Sequence, residues 1–125
     1  MLVNPDVFED HLSHAPEGSV REAFLAFAHA EYPGNLTARA TSKGFKAQEL
    51  RIERGENWYF SAVLHEEWVL WYFRKPAFRD GLVDPDEIED RFPEAHVTPK
   101  GEISLRVTDA DMAQAVIASL AAPRL

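Results

Sequence analysis

Two kinds of hydrophobic periodicity follow one another along the chain. Apolar residues in the first 31 positions recur at helical spacing in two groups, Val7, Phe8 and Leu12, then Ala23, Phe24, Phe27 and Ala28. Asn4 followed by Pro5 is typical of a helix start, and Ser19 with Glu22 forms a capping box. The pattern therefore predicts two N-terminal helices, the second over 20–31 and ended by the sequence YPGN.

From residue 36 the period changes to two, which is typical of strands. The short loops SKG and GEN interrupt the alternation, and they put Gly44 and Asn57 where a three-residue hairpin loop needs left-handed backbone. A third turn falls at Glu66 and Glu67. We predict a four-stranded antiparallel meander over residues 36–41, 46–54, 58–64 and 69–75.

The third hairpin fixes a register if it turns over the two glutamates. This register pairs Leu64 with Val69, Ala62 with Trp71, and Phe60 with Phe73, and pairing through the GEN loop adds Leu50 and Ile52 to the same face. All eight side chains are apolar, so this is a core face, suited to be covered by the first, second and last helices.

The opposite face of the predicted sheet is mixed. Its members are Thr37, Arg39, Glu49, Arg51, Glu53, Tyr59, Ser61, Val63, Leu70, Tyr72 and Arg74, with His65 and Trp68 at the edge. Cross-strand aromatic and Arg–Glu pairs stabilise a plain solvated face without any ligand. The same residue types also concentrate binding energy in interfaces, so both interpretations stay open.

The last third of the chain adds one helix, one hairpin and a final helix. Asp84, Pro85 and Glu87 are typical of a helix start, and this helix ends near Phe92. A hairpin around 99–101 leads into a strand, and Thr108 or Asp109 caps a helix with an apolar stripe at Met112, Val116, Ile117 and Leu120. The sequence therefore predicts an α+β fold, with helices packed on one face of an antiparallel sheet, in a single globular domain over 1–125.

Charge and composition narrow the list of functions. The net charge of −8 divides into −5 over residues 1–34, +2 over 35–80 and −5 over 81–125. An acidic chain disfavours general nucleic-acid binding, although the basic middle allows a local anion site. The absence of cysteine excludes thiolate catalysis, disulfides and Cys-based metal sites. We see no signal peptide and no long apolar run, and we expect a soluble cytoplasmic protein.

Three polar clusters are candidate sites. His11 and His14 lie three apart on a helix but lack the further ligands that zinc requires. The sequence HEEW at 65–68 is typical of a polar hairpin tip. An acidic strip, which could bind a partner, carries no calcium-loop spacing and suits the first turn of a helix: Asp84, Asp86, Glu87, Glu89 and Asp90. We expect no cofactor and no metal.

Three classes of function remain. The first is a small non-enzymatic protein of the inhibitor, immunity or accessory type, which binds a macromolecular partner, most simply a protein, through the aromatic and arginine-bearing sheet face or the acidic helices. The second is single-stranded nucleic-acid or anionic-ligand binding, with bases stacked on Tyr59 and Tyr72 and phosphates on Arg39, Arg51 and Arg74. The third is a hydrolase or isomerase with a carboxylate–histidine pair. A homodimer through the sheet face is a further possibility.

Overall fold

The computed structural model describes residues 2–41 and 48–121. These ranges form five α-helices: α1 (Pro5–Ser13), α2 (Ser19–His29), α3 (Lys75–Arg79), α4 (Pro85–Arg91) and α5 (Ala110–Ala118). The strands are β1 (Thr37–Thr41), β2 (Glu49–Arg54), β3 (Asn57–Leu64), β4 (Val69–Phe73), β5 (His96–Val97) and β6 (Ile103–Val107). A short 3₁₀ turn, Pro33–Asn35, separates α2 from β1. The α+β prediction is confirmed.

The six strands form one antiparallel sheet in the order β1-β2-β3-β4-β6-β5. The meander β1–β4 is as predicted from the alternation. The hairpin β5–β6 joins it at β4, so that β6 lies inside the sheet and the two-residue strand β5 lies at its edge. The β5–β6 hairpin itself was predicted, whereas its attachment to β4 was not.

The predicted register of the third hairpin is confirmed. Phe60 pairs with Phe73, Ala62 with Trp71 and Leu64 with Val69. All five helices contribute buried side chains to the same core cluster as this face, among them Phe8, Phe24, Phe27, Ala77, Ile88 and Val116. The Trp71 ring stacks on those of Phe27 and Phe60, with centroid distances of 4.5 and 5.3 Å. The prediction that helices cover one sheet face is therefore confirmed.

Helix starts were predicted with mixed success. The carboxylates of Asp84 and Asp109 accept hydrogen bonds from the amides of Asp86 and Met112, as expected of caps. The prediction of a capping box at Ser19 is wrong, because Ser19 is the first helical residue and the N-cap is Gly18.

Asn4 also fails to cap α1 with its side chain. Its backbone is left-handed, with φ 60°, and its amide Nδ2 donates instead to the carbonyl of Ala40 in β1. The side chain that local sequence assigns to the helix is therefore used to attach the helix to the sheet.

The N-terminal segment closes the outer edge of β1. Val3 donates its amide to Ala38 and accepts from Ala40, and His11 Nε2 lies 3.0 Å from the carbonyl oxygen of Thr41. A carbonyl only accepts, so Nε2 of His11 carries the proton. His11 is 1 % exposed, and its bond to Thr41 holds α1 against this edge.

One loop prediction and one strand end were wrong, and a second loop prediction falls outside the described residues. Asn57 is the first residue of β3, and the left-handed residue of this hairpin is Gly55, with φ +61°. The predicted strand to residue 75 ends at Phe73, because Pro76 lies in the first turn of α3 and cannot join a ladder. The hairpin loop proposed around Gly44 lies in the range 42–47, which the structure does not describe.

Over the described ranges 2–41 and 48–121, no helix is both long enough and apolar enough to cross a membrane.

Candidate functional site

The second face of the sheet carries a row of polar side chains that crosses all six strands. In this row each residue pairs with the next one on the neighbouring strand, in the order Arg39, Arg51, Ser61, Tyr72, Ser104 and His96. Neighbouring rows on this face carry Glu49, Glu53, Val63, Leu70 and Arg106. We call this surface the polar face. The helices pack on the other side of the sheet, so alternation along the strands leaves these side chains away from the core.

A bulge in β3 changes the position of one predicted site residue. Ile52 pairs with Phe60 but Glu53 pairs with Trp58, so Tyr59 is an extra residue in the ladder. As a result Trp58 lies on the polar face opposite Glu53. Tyr59 is 1 % exposed and belongs to the core. The prediction that Tyr59 lies on the polar face is therefore wrong.

The hydroxyl of Tyr59 has a structural partner. It donates a hydrogen bond to Asp80 Oδ2 over 2.7 Å, and Arg79 donates two more hydrogen bonds to the same carboxylate. The bonds from Arg79 and then from Tyr59 lower the pKa of Asp80 to about 2. Burial, followed by the bond to Asp80, raises the pKa of Tyr59. Tyr59 thus fastens β3 to the end of α3.

Trp58 lies on the polar face near the start of β3, between two arginines. The guanidinium carbons of Arg51 and Arg74 lie 3.8 and 3.7 Å from the centroid of its ring. These arginines come from the two sides of β3, and two guanidinium groups cannot share one face of the ring at such distances. They therefore cover its opposite faces. We call Arg51, Trp58 and Arg74 the tryptophan clamp.

Hydrogen bonds hold the ring of Trp58 and the side chain of Arg74 in place. Trp58 Nε1 donates to the carbonyl of Phe60 and to Ser61 Oγ, at 2.9 and 3.0 Å. Arg74 donates to the carbonyl of Trp58 over 2.6 Å. Burial lowers the pKa of the Arg74 guanidinium, and Glu102, whose carboxylate lies 3.4 Å from Arg74 Nε, acts in the opposite direction.

The arginines predicted for this face are paired with carboxylates. Arg39 makes two hydrogen bonds to Glu53, at 2.7 and 3.0 Å, and the bonded carboxylate raises the pKa of Arg39. Arg51 Nε donates to Glu49 over 3.1 Å. With the Arg74–Glu102 pair, the three predicted arginines each have an acidic neighbour. The charges of these three arginines are therefore compensated.

Two adjoining depressions lie on the polar face. The smaller, about 240 Å³, is lined by Trp58, Ser61, Tyr72, Arg74, Lys100 and Glu102. The larger, about 540 Å³, is lined by His65, Trp68, Leu70, Glu94, His96, Ser104 and Arg106, and we call it the edge depression. They meet where Tyr72 pairs with Ser104. Tyr72 is half-buried there, and its burial raises its pKa.

The edge depression contains His65 and Trp68, the two residues expected at the edge of the face. Their ring centroids are 6.1 Å apart. The guanidinium carbon of Arg106 lies 4.3 Å from the centroid of Trp68. Arg106 is exposed, and no salt bridge is found for it among the described residues. Sequence reasoning did not select Arg106, because it lies in a strand whose position in the sheet was not predicted.

The acidic strip lies elsewhere. All five of its carboxylates are exposed on or just before α4, and Asp84 caps that helix. Asp84 and Glu87 line a separate depression of about 330 Å³ with Phe78, Leu82 and Ser119. The structure therefore does not bring the strip into one depression with His65 and His96.

The histidines do not form a metal centre in the part of the chain that the structure describes. No group of three or more His, Asp or Glu side chains there could hold a metal ion. His11 is committed to β1, and His14 Nδ1 donates to the carbonyl of Asp10 over 2.8 Å.

Comparisons with protein-family models, curated proteins and solved structures find no match for this chain.

Proposed function

We propose that the protein is a non-enzymatic binding module that engages another protein through the polar face of its sheet. The observation that supports this is the tryptophan clamp, in which Trp58 is fixed between Arg51 and Arg74 on the sheet face opposite the helices. Trp, Tyr and Arg are the residue types in which protein interfaces concentrate binding energy. Depressions of about 240 and 540 Å³ on the same face provide space for a partner's side chains.

The side chains of the polar face are already held in place, and this lowers the free-energy cost of binding a partner. Each side chain that is immobilised on association costs about 0.5–1.5 kcal/mol, and that cost is reduced when the side chain is already fixed. Arg51 and Arg74 are held by Glu49 and Glu102, and Trp58 is held by Phe60 and Ser61. A partner that docks on the face therefore orders little that the fold has not ordered already.

The charges favour a protein over a nucleic acid as the partner. Arg39, Arg51 and Arg74 each lie beside a glutamate, which weakens attraction to phosphates. Both faces of the Trp58 ring are covered by guanidinium groups, so a base has no access to stack on it. The tyrosine pair invoked for base stacking is reduced to Tyr72, since Tyr59 is buried.

Site-specific photocrosslinking tests the proposal. A photoreactive phenylalanine derivative replaces Lys100 on the polar face, Glu87 on the acidic strip or Glu22 on α2, and each protein is irradiated in extract of its native host. We expect a discrete protein adduct from position 100 alone, and the charge reversal Arg74→Glu should suppress it. Adducts from position 87 alone would move the interface to the acidic strip. Equal adducts from all three positions would contradict the proposal.

A titration with fluorescent single-stranded oligonucleotides tests the alternative function, in which the protein binds single-stranded nucleic acid. At low salt we expect no change in anisotropy with the wild-type protein. Binding that falls steeply as salt is raised would replace the protein partner with a nucleic acid.

A further inference from the structure

One edge of the sheet is left open by the residues that the structure describes. The outer edge of β1 is occupied by Val3, Asn4 and His11. At the other side, β5 pairs with β6 only at His96–Ser104 and Val97–Ile103. Beyond this two-residue strand, β6 continues to Val107 with no strand beside it in the described chain.

The hydrogen-bonding direction of the exposed part of β6 follows from its neighbours. Thr98 donates its amide to the carbonyl of Glu102, so the main-chain groups of Glu102 point towards β5. Main-chain groups alternate along a strand, and those of Ser104 and Arg106 therefore point the same way. His96 pairs with Ser104, but the chain has already turned at Ala95, whose amide bonds to Phe92. The amide and carbonyl of Arg106 thus face the line along which β5 would have continued.

The edge depression lies beside this open segment. Ser104 and Arg106 of β6 line it together with Glu94 and His96, which flank the start of β5. The side chain of Arg106 points to the polar face and rests on Trp68. A residue added opposite Arg106 would direct its own side chain to the same face, because directly paired residues share a face. That side chain would enter the edge depression.

The charges in the depression select the occupant. An added residue with a carboxylate would pair with the exposed guanidinium of Arg106, which makes no salt bridge among the described residues. Glu94 lines the same depression together with His65 and His96, but its carboxylate lies outside salt-bridge distance of Arg106. A second copy is disfavoured, because antiparallel self-pairing about a twofold axis at Arg106 sets Arg106 opposite its own copy. A nucleic acid has no peptide groups with which to extend the sheet.

We propose that an extended segment of a partner protein, carrying an acidic residue opposite Arg106, adds to β6 as a further strand. Main-chain hydrogen bonds to Arg106 fix the register of the added strand, and the edge depression selects the side chain of the residue opposite Arg106. This inference rests on the proposed function and names the partner's chemistry at one end of the polar face. The arginine at the open edge also discourages pairing with a second copy, as charged residues on edge strands do.

A random heptapeptide display library is the probe for this site. Purified full-length protein is used for selection, and we expect enriched peptides with Asp or Glu among β-branched residues. With Arg106→Glu, whose fold is checked by circular dichroism, the enriched peptides should instead carry Lys or Arg. Arg54→Glu makes the same charge change at the other end of the sheet, and it should leave the acidic selection unchanged. Selections that yield the same peptides for wild type and Arg106→Glu, or no enrichment, overturn the proposal.

Amide exchange by NMR gives a second readout. In the free protein the Arg106 amide should exchange faster than that of Leu105, and an enriched acidic peptide should slow it at least tenfold. A slow Arg106 amide without peptide would show that the edge is already occupied and would overturn the inference. If the peptide tests fail while position 100 still crosslinks a protein, only the β6 assignment is lost and the polar-face proposal stands.

Discussion

The triplet Trp-Tyr-Phe occurs twice in the sheet, and its two copies are placed differently. In β4, Trp71 and Phe73 are buried in the core and Tyr72 lies on the polar face. In β3, Tyr59 and Phe60 are buried, and the tryptophan, Trp58, lies on the polar face between two arginines. Identical local sequence therefore gives opposite orientations for both Trp and Tyr.

The difference comes from one extra residue in β3. Arg54 pairs with Asn57, so the turn at Gly55 contains two residues. The register from the pair Ile52–Phe60 onward would instead fit a turn of three residues. The bulge at Tyr59 absorbs that residue. In β4 no such irregularity interrupts pairing with β3 or β6. Strand alternation thus predicts side-chain orientation only as far as the nearest bulge.

The largest expected effect separates the two tryptophans. Trp71→Ala should lower the free energy of unfolding by about 3–5 kcal/mol, because the ring is fully buried against Phe27 and Phe60. Trp58→Ala should cost about 1–2 kcal/mol, as it removes a half-buried ring and its cation–π contacts. Urea unfolding measures both losses. Trp71→Phe serves if the alanine variant does not fold, and equal losses at positions 58 and 71 would contradict the comparison.

The second effect tests whether Tyr59 is a structural residue. Tyr59→Phe should lower the free energy of unfolding by about 1–2 kcal/mol, because the hydroxyl bonds to the Asp80 carboxylate. In a double-mutant cycle with Asp80→Ala, the two single losses should sum to more than the loss of the double variant. Strict additivity would show that the hydrogen bond does not stabilise the fold. Binding through the polar face should be unaffected by Tyr59→Phe.

A smaller effect is expected at the turn that sets the bulge. Gly55 has φ +61°, so Gly55→Ala should cost about 1 kcal/mol, and Gly55→Asn should cost less because Asn tolerates left-handed backbone. No atom lies within 4 Å of a Cβ built at Gly55, so the cost is conformational rather than steric. Glu56→Ala in the same turn is the control, and urea unfolding should show no change for it. A Gly55→Ala variant as stable as wild type would argue against this turn geometry.

The smallest effect is a pH dependence at the end of α3, where Asp80 lies. The folded-state pKa of Asp80 is about 2, below its ordinary value of 3.8, so the ionised form stabilises the fold above about pH 4. That contribution is lost as pH falls from about 4 to about 2. The stability difference between wild type and Asp80→Asn, measured by urea unfolding, should therefore narrow across this range. A constant difference would mean that Arg79 and Tyr59 do not favour the charged carboxylate.

The amino-acid sequence determined the core face and the helices and strands other than α3, which was not predicted. The register of the third hairpin follows from sequence because a one-residue slip would turn Phe60, Trp71 and Phe73 into water. Two helix starts were also predictable from sequence. The caps at Asp84 and Asp109 bond within three residues, so their energetics are local.

Tertiary structure alone decided which residues form the candidate site. The bulge that turns Trp58 outward buries Tyr59, whose partner Asp80 lies 21 residues further along the chain. Arg106 enters the site because β6 docks on β4. Local patterns encode periodicity and caps, whereas a bulge or a docked hairpin is stabilised by contacts between segments distant in sequence. The sequence by itself therefore predicted a polar face, and the fold decided that Trp58, Arg74 and Arg106 lie on it.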